Sequence, residues 1–482
     1  MEVSWTTSSV DLHVETSGRR QRSSLEDSLR MAIQSRRLVA GTTLPSTRAL
    51  AGDLGIARGT VVAVYDQLFA EGYLTVRRGV GTQVADLGPA AAAAAERVDR
   101  PPVRLDMRPG TPDVSSFPTS IWMRCMRRAL AAAPATALGY GDVRGRRELR
   151  SALVDYLART RGVQAAPDQV MITAGATQAL SLLAVGLSAA GHTTVAMENP
   201  GFAMHRPVVR QAGHRVVELP VDERGADVGR LADLGAGAPA AVVVTPTHQY
   251  PLGVALHPSR RQALTRWARE SGGLIIEDDY DGEFRYERQP IGALQGTAPG
   301  HVVYLGTTSK TLAPGLRLGW MVLPHRLIEP LIEVKLRTDL SAPTITQLTL
   351  AELIRSHGYD RHIRTMRLRY RRRRDQLVSA LDAIGPDLVT GVAAGLQAPV
   401  WLPTAGPGEA QIIAAAAAEG LALEGMSTHW HGGSAPSAGL LIGFSKARES
   451  AYPAAVSLLV QILRRMLEGR GGQEYSSLGD KG

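Results

Sequence analysis

The sequence predicts an α/β protein that carries a separate small domain at its N-terminus. Apolar runs at residues 170–173 and 273–278 have the length and composition of buried strands. The first run is followed by a turn of small residues and by a helix with one apolar face, which is the alternation expected of an α/β sheet. Residues 24–85 are too short and too self-contained to belong to such a sheet. A low-complexity stretch at residues 87–103 separates the two parts.

Length and composition indicate a globular protein of two or three domains. The chain has 482 residues, of which 44% are hydrophobic and 5% aromatic, and this is ordinary for a soluble protein with a large core. A net charge of +9 favours an anionic partner without identifying it. The one cysteine, Cys125, excludes a disulfide framework, and neither a long apolar run nor a leader peptide is apparent. We therefore expect a cytoplasmic protein without a membrane segment, and we assign no metal site.

The N-terminal domain is predicted to contain three helices followed by a hairpin. Ser46 is placed to cap the second helix, and a turn at residues 55–56 precedes the third. The hairpin, at residues 72–85, has a basic tip that contains glycine. Helix, turn and helix form the geometry that places the second of two helices in the major groove of DNA. Residues at helical spacing mark the three helices: Leu25, Leu29, Ala32, Ile33 and Arg36 in the first, Leu50 and Leu54 in the second, and Val61, Val64, Tyr65 and Leu68, which face inward, in the third.

This domain resembles the winged helix-turn-helix of GntR-type regulators. The family pattern Leu-Pro-Ser-x-Arg, Arg-x-Thr-Val and Gly-x-Gly-Thr matches residues 44–48, 58–61 and 79–82. Acidic residues nearly balance the arginines of the domain, so DNA binding would depend on where the charges lie. A winged helix that serves only protein contacts is the alternative. By the resemblance the partner is double-stranded operator DNA, contacted by Arg48, Arg58, Thr60, Arg78 and Gly79.

Lys310 is a candidate for covalent chemistry. It lies in the run 306–319, and the other lysines of this arginine-rich chain are Lys335, Lys446 and Lys481. A primary amine can form a Schiff base with an aldehyde, whereas a guanidinium cannot. The alternative is a surface lysine at the end of a strand.

Two other segments supply polar groups that suit a single ligand. The strand at residues 273–278 delivers Asp278 and Tyr280 at its carboxyl end, where they could meet a protonated ring nitrogen and a phenolic oxygen. The turn after residues 170–173 offers free amides and the positive end of a helix dipole to a phosphate. Pyridoxal 5'-phosphate (PLP) carries the matching aldehyde, pyridine nitrogen, phenolic oxygen and phosphate.

These residues resemble the fold-type I aminotransferases of class I. The resemblance implies that Lys310 forms a Schiff base with PLP, that Asp278 faces its pyridine nitrogen and that Tyr280 faces its phenolic oxygen. Arg317 suits a bidentate contact with the phosphate. The residues implied around the phosphate are Gly175, Ala176, Thr177, Thr307, Ser309 and Arg317.

Other positions match that family less closely. Phe202 would lie over the cofactor ring, with a plain core phenylalanine as the alternative. Tyr140 would reach a phosphate across a dimer interface. Tyr250 stands where catalytic aminotransferases carry an asparagine. It therefore stays open whether His248, Gln249 or Tyr250 contacts the phenolic oxygen.

The fusion of these two domains resembles the MocR family of bacterial transcriptional regulators. The resemblance implies a homodimer in which PLP on Lys310 alters operator binding, on genes of vitamin B6 or amino-compound metabolism. The second domain would be aminotransferase-like and would bind PLP. The expected division is a winged helix domain at residues 1–86, a linker at 87–103, a large domain at about 104–335, a small α+β subdomain at about 336–470 and a flexible tail at 471–482.

One departure from the aminotransferases bears on activity. Enzymes that hold an α-amino acid bind its carboxylate with an arginine on a C-terminal strand, and the corresponding strand at residues 439–444 has leucine instead. An amino acid would then be poorly positioned. We expect a regulator with at most vestigial transamination. Arg206, Arg448, His429 and His431 are the candidates to replace the arginine.

The sequence leaves the effector open. PLP itself is one candidate, as in the vitamin B6-sensing branch of the family, and an amine or amino acid bound without turnover is the other. Two alternatives to this regulator are a genuine aminotransferase with an accessory DNA-binding domain and a repressor whose second domain is inactive.

Arginines are densest at residues 360–374. This run is typical of one solvated face of a long helix. The alternative is a second basic surface that bent DNA could touch.

Overall fold

The computed structural model describes residues 2–5, 12–15, 21–88, 103–233, 238–286, 291–385, 388–404, 406–433 and 435–468. The chain divides into two compact units, residues 1–100 and 101–482. Most of the predicted linker and all of the predicted tail lie outside the described residues. None of the described helices is long and apolar enough to span a membrane.

The described residues of the first unit form three helices and two antiparallel strand pairs. The pair at its start was not predicted from the sequence, whereas the three helices and the second pair agree with the prediction. In chain order the elements are β1 (Glu2–Trp5), β2 (Leu12–Glu15), α1 (Gln21–Gln34), α2 (Thr47–Leu54), α3 (Arg58–Ala70), β3 (Leu74–Arg77) and β4 (Gly81–Val84).

The three helices enclose an apolar core. The apolar residues predicted to mark these helices are all buried, and Leu74 and Val84 of the second strand pair join them. Arg36, which was predicted to mark the first helix, lies beyond the end of α1 and is exposed. The Ser46 hydroxyl accepts a hydrogen bond from the Ala49 amide at 3.1 Å, so it caps α2 as predicted. Helix α2 ends at Gly55, whose φ of 63° is left-handed and suits glycine. The helix-turn-helix arrangement is therefore confirmed.

An eight-stranded mixed sheet forms the centre of the second unit. Strand β5 (Leu105–Asp106) precedes it in the chain and lies elsewhere. The sheet contains β6 (Val170–Thr173), β7 (Thr194–Asn199), β8 (Arg215–Asp222), β9 (Gly225–Ala226), β10 (Ala241–Val244), β11 (Leu274–Asp278), β12 (Val302–Thr307) and β13 (Gly319–Val322). The order across the sheet is β6-β13-β12-β11-β10-β7-β8-β9. Neighbours from β12 to β8 are parallel, and β13 is antiparallel to both of its neighbours.

Helices cover both faces of this sheet. Along β12, Val303 and Leu305 pack with α6 and α10, whereas Val302 and Tyr304 point to the opposite face and pack with α5, α9 and α11. Burial on both faces explains why these strands are continuous apolar runs. The helices are α4 (Thr119–Ala132), α5 (Arg147–Arg161), α6 (Ala176–Ala189), α7 (His205–Gln211), α8 (Arg230–Asp233), α9 (Pro258–Ser271), α10 (Ile328–Leu336) and α11 (Thr344–Arg355).

A smaller α+β layer with its own apolar core completes the second unit. It contains α12 (Gly358–Asp382), β14 (Gln397–Trp401), α13 (Glu409–Ala418), β15 (Leu421–Ala422), β16 (Gly439–Gly443) and α14 (Tyr452–Glu468). Strands β14 and β16 are antiparallel, and β15 pairs in parallel with β5. The start of the second unit therefore packs with its end. Helix α11 follows residue 336 in the chain but packs with α4 and α5 of the large domain.

The arginine run lies on α12, but only part of it faces solvent. Arg373 is buried, and its guanidinium pairs with Asp113 at 3.1 Å and Glu449 at 2.8 Å. Arg374 is also buried and donates to the carbonyl of Val392 at 3.0 Å. The prediction of one solvated face is wrong for these two arginines, because their hydrogen bonds and ion pairs connect α12 to neighbouring segments. The exposed arginines are Arg361, Arg364, Arg371 and Arg372.

Candidate functional site

A cavity of about 210 Å³ lies where β10, β11 and β12 end. The carboxyl edge of a parallel sheet is the usual place for a ligand. Separate sequence motifs converge there, because the lining includes the predicted residues Gly175, Ala176, Thr177, Phe202, Tyr250, Asp278, Tyr280, Thr307, Ser309, Lys310 and Arg317. The lining residues that the sequence did not predict are Gly110, His205, Thr245 and Pro314.

One end of the cavity has free hydrogen-bond donors. Gly175 stands just before α6 with φ of 105°, and no side chain caps the first turn of that helix. A Cβ at Gly175 would lie 3.6 Å from Nη1 of Arg317, so glycine leaves the guanidinium close to the turn. The Thr307 hydroxyl contacts that of Ser309 at 2.9 Å beside them. Amides, hydroxyls and a guanidinium in one place suit a phosphate.

Asp278 is a buried acid that ends β11 and lines the same cavity. Its Oδ1 has no hydrogen-bond partner among the described residues, and its Oδ2 lies 3.9 Å from Nδ1 of His205. Burial, reinforced by Asp279, raises the pKa of Asp278 to about 7. Burial also lowers the pKa of His205 to about 4. An acid that lacks a donor on the cavity side fits a protonated ring nitrogen.

The Lys310 amine lies in the same cavity. Its Nζ donates a hydrogen bond to the carbonyl of Gly110 at 2.5 Å. Burial lowers the pKa of Lys310, while the negative charges of Asp281 and Asp278 oppose that shift. A lowered pKa raises the fraction of neutral amine, which is the form that attacks an aldehyde. The position suits a Schiff base.

Tyr280 lines the cavity, and His248 lies behind it. Nδ1 of His248 is 2.9 Å from the Tyr280 hydroxyl and 2.9 Å from Oδ2 of Asp281. Gln249 uses its amide nitrogen on the backbone carbonyls of Pro200 and Tyr250. Neither His248 nor Gln249 is among the residues that line the cavity, whereas Tyr250 is.

The aromatic residues take three different positions. Phe202 is 38% exposed and meets the ring of Tyr250 edge to face at 5.5 Å, which does not suit the alternative of a plain core phenylalanine. Tyr250 lies in the lining, 5.8 Å from the ring of Tyr280. Tyr140 is 96% exposed and is absent from the lining of this cavity. Its predicted contact needs a second subunit and stays a prediction.

The predicted DNA contacts are spread over α2, α3 and the turn between β3 and β4. Arg48 lies in the first turn of α2, Arg58 begins α3, and Arg78 and Gly79 form the turn between β3 and β4. Arg48, Arg58 and Arg78 are exposed, and none of them is paired with an acid within the described residues. Gly79 has φ of 81°, which the turn requires. Helix α3 begins without a side-chain cap, and in its first turn the amide of Thr60 donates to the carbonyl of Ala57 at 2.9 Å.

Comparisons with known proteins agree with both units. The family "Bacterial regulatory proteins, gntR family" matches residues 21–84, and "Aminotransferase class I and II" matches residues 112–400. The probable rhizopine catabolism regulatory protein MocR of Rhizobium meliloti is 36% identical over 74% of this chain and 76% of its own length. The HTH-type pyridoxine biosynthesis transcriptional regulator PdxR of Corynebacterium glutamicum is 34% identical over 86% of this chain and 91% of its own. This chain belongs to the MocR family of transcriptional regulators.

A solved aminotransferase shows the fold of the MocR-family second unit. Pyrococcus horikoshii kynurenine aminotransferase superimposes with a TM-score of 0.67 at 26% identity, over 75% of this chain and 91% of its own. The second unit thus has the fold-type I aminotransferase architecture, and the first is a GntR-type winged helix domain. Both fold predictions are confirmed.

In this MocR-family chain the strand predicted to correspond to the one with the carboxylate-binding arginine is apolar. Leu441 of β16 is buried in a cluster with Tyr250, Tyr280 and Met426. The residues expected to replace this arginine make other contacts or lie outside the cavity. Arg206 donates to backbone carbonyls, including that of His429 at 2.9 Å.

The other three substitutes are no closer to that role. His429 is buried against Tyr250, with ring centroids 5.1 Å apart, and His431 lies 3.2 Å from Glu218. Arg448 is exposed. None of these residues lines the cavity.

Some of the unpredicted lining residues left a signal in the sequence. His205 begins α7 three residues after Phe202, and a turn in which the His205 amide donates to the Phe202 carbonyl at 3.0 Å brings the two rings together. Thr245 directly follows the apolar run of β10, where lining residues are expected. Gly110 carried no such signal, because its carbonyl reaches Lys310 from the far end of the unit.

Proposed function

We propose that this MocR-family regulator binds PLP covalently on Lys310 and that the bound cofactor alters its affinity for operator DNA. The observation that carries the proposal is that the Lys310 amine and the Asp278 carboxylate lie in one cavity, and that one oxygen of this carboxylate has no hydrogen-bond partner among the described residues. When bound, PLP supplies an aldehyde for the amine and a ring nitrogen for the carboxylate. A role for PLP also agrees with a structural relative, kynurenine aminotransferase, that was solved with PMP.

Different residues of the cavity hold different parts of the cofactor. The α6 turn and Arg317 bind the phosphate, Asp278 holds a proton on the ring nitrogen, and Tyr280 donates to the phenolic oxygen. Phe202 covers one face of the ring and excludes water from it. Burial keeps part of the Lys310 population neutral and therefore reactive.

The first unit reads the operator. We propose that Arg58 and Thr60, at the start of α3, reach base edges while Arg48, Arg78 and Gly79 contact the phosphate backbone. We also propose a homodimer, since Tyr140 is almost fully exposed here and would reach a phosphate only in a partner subunit. A dimer would bind paired half-sites.

The effector is PLP itself or PLP with a small amine. The apolar surroundings of Leu441 offer no cation to a carboxylate, and Arg206 is occupied by backbone carbonyls. An amino acid would therefore be held loosely, and sustained amino-group transfer would be slow. We propose at most vestigial transamination.

A genuine aminotransferase is the second candidate, because Lys310, Asp278 and Tyr280 are all in place around one cavity. Amino-group transfer from amino acids to a keto acid separates the two. Sustained turnover by the wild-type chain that is lost in Lys310→Ala supports the enzyme, whereas absence of turnover supports the regulator.

Operator binding tests the proposed function. Affinity is measured by fluorescence anisotropy for PLP-free and PLP-loaded protein, with a DNA fragment selected by the full-length chain. We expect PLP to change the affinity of the wild type severalfold and to leave Lys310→Ala unaffected. Lys446→Ala is the matched control, since Lys446 pairs with Asp106 outside the cavity. Equal affinities with and without PLP in the wild type contradict the proposal.

A further inference from the structure

Four buried polar side chains meet behind the cavity at the hydroxyl of Tyr280. Nδ1 of His248 lies 2.9 Å from this hydroxyl and 2.9 Å from Oδ2 of Asp281, and Nε2 of Gln397 lies 3.0 Å from the hydroxyl. His248, Asp281 and Gln397 are each at most 2% exposed, and none of them lines the cavity. We call these four residues the Tyr280 cluster.

The chemistry of the partners determines where the protons of the Tyr280 cluster lie. A carboxylate accepts hydrogen bonds, so the contact with Asp281 requires a proton on Nδ1 of His248. The amide nitrogen of Gln397 also donates. The single N–H of His248 lies 2.9 Å from both Asp281 and Tyr280 and is shared between their oxygens, and neither it nor the Gln397 amide can accept the proton of the hydroxyl.

The carboxylate of Asp281 is an acceptor in the cluster, but its Oδ2 is taken by the Nδ1 proton of His248, so the direction left for the Tyr280 proton is the cavity. Burial, with the negative charge of Asp281, raises the pKa of Tyr280 well above its ordinary value, so the phenol keeps its proton. A hydroxyl with two donors behind it presents its own O–H to the side that Tyr280 lines. The charged or titratable groups around it are His248, Tyr250, Asp278, Asp281 and Lys310.

The backbone that leads into β14 holds the imidazole in this orientation. A Cβ at Gly395 would lie 2.0 Å from Cε1 of His248, so the ring packs directly against that glycine. Gly395 has φ of 84°, and its carbonyl accepts a hydrogen bond from the Tyr286 hydroxyl at 2.6 Å. The ring of His248 therefore packs against Gly395 of the small subdomain and contacts the hydroxyl of Tyr280.

We propose that His248 and Gln397 are positioning residues that fix Tyr280 as a hydrogen-bond donor to the phenolic oxygen of the cofactor. The proposal rests on the proposed function, because it needs PLP on Lys310. It also gives His248 a place in recognition although the side chain does not touch the cavity. The asparagine contact of the catalytic enzymes is thus replaced by support from behind the tyrosine.

The consequence is a shift in proton affinity. A donor at the phenolic oxygen stabilises its anionic form, so the nitrogen that Lys310 contributes holds its proton less tightly. When the donor is weakened, that proton is held more tightly. The pH midpoint at which the visible absorbance of the PLP-loaded protein changes should then rise.

The test compares two substitutions at His248 in the full-length, PLP-loaded protein. His248→Leu removes the Nδ1 proton, and we expect the midpoint to rise by about half a pH unit or more. His248→Asn keeps an N–H near the position of Nδ1, and its midpoint should stay close to that of the wild type. Gln397→Met removes the second donor and should raise the midpoint as well. His325→Leu, at an exposed histidine, is the control.

Each outcome has a definite meaning. An unchanged midpoint in His248→Leu, or an equal rise in His248→Asn, overturns the positioning role. If His248→Leu does not fold, as judged by circular dichroism, the midpoint of Gln397→Met decides, and no rise there overturns the proposal. If the wild type shows no absorbance band that Lys310→Ala abolishes, the proposed function itself fails.

Discussion

Asp278 is buried beside the cavity with one carboxylate oxygen that has no donor among the described residues. Burial raises its pKa to about 7 from an ordinary value near 3.8, and the neighbouring Asp279 adds to the shift. A negative charge at this position is therefore unfavourable in the cofactor-free protein. A protonated ring nitrogen would remove that cost, which is why the site is poised for a ligand of this kind.

The raised pKa of Asp278 predicts how stability depends on pH. Because the pKa is higher in the folded chain than in the unfolded chain, the contribution of Asp278 to folding becomes less favourable as the pH rises from about 4 to about 7. Asp278→Asn removes this penalty. We expect it to raise the thermal midpoint of the cofactor-free protein more at pH 8 than at pH 5, as measured by calorimetry.

A matched acid on the surface controls for general charge effects. Asp155 is exposed on α5, so Asp155→Asn should change the thermal midpoint little at either pH. Equal gains in thermal midpoint from Asp278→Asn at the two pH values would show that the carboxylate is not a strained ionised group.

Asp278→Asn should also bind PLP at least about tenfold more weakly, because the amide cannot form an ion pair with a charged ring nitrogen.

Among the secondary-structure elements, α3 and the β3–β4 turn carry the basic side chains that can meet DNA. Arg58 at the start of α3 and Arg78 at the turn are exposed and are not paired with acids within the described residues. The amides at the start of α3 add a positive dipole end. This arrangement accounts for DNA binding by a domain whose charges nearly cancel in sum.

Arg58→Ala should weaken operator binding and reveal the role of the guanidinium. Because we place Arg58 at a base edge, we expect a loss of about 1–3 kcal/mol that is confined to one base-pair position. A loss for all sequences, with the slope of log affinity against log salt decreased by about 1, would instead place Arg58 on a phosphate. Arg266→Ala, at an exposed arginine of α9, is the control. Unchanged affinity and slope in Arg58→Ala would remove α3 from the interface.

At the scale of the whole molecule, local patterns were enough to predict both folds and much of the cavity. Lys310 and the Gly175 turn each follow a strand and Asp278 ends one, and the edge of one sheet brings these segments together. The approach of Gly110 could not be predicted, because it depends on the pairing of β5 with β15 across the whole second unit. The place of His248 also depends on tertiary contacts, namely with Gly395 and Gln397.

The boundaries of the two layers in the second unit were hard to predict for a similar reason. The chain crosses between layers, so that β5 joins the small subdomain and α11 joins the large domain. The arginine run of α12 misled in the same way. Composition shows where charge is dense, but only packing shows that Arg373 and Arg374 are buried against partners inside the unit.

Regulation by the cofactor requires that modification of Lys310 change the affinity of the protein for operator DNA. The most direct measurement follows both on the same samples, with the fraction of Lys310 modified, obtained by borohydride reduction and mass spectrometry, set against operator affinity as PLP is titrated. We predict that affinity changes in proportion to this fraction in the wild type and does not respond to PLP in Lys310→Ala. An operator affinity that stays constant while Lys310 becomes fully modified, or an equal response in Lys310→Ala, would contradict PLP-dependent regulation through Lys310.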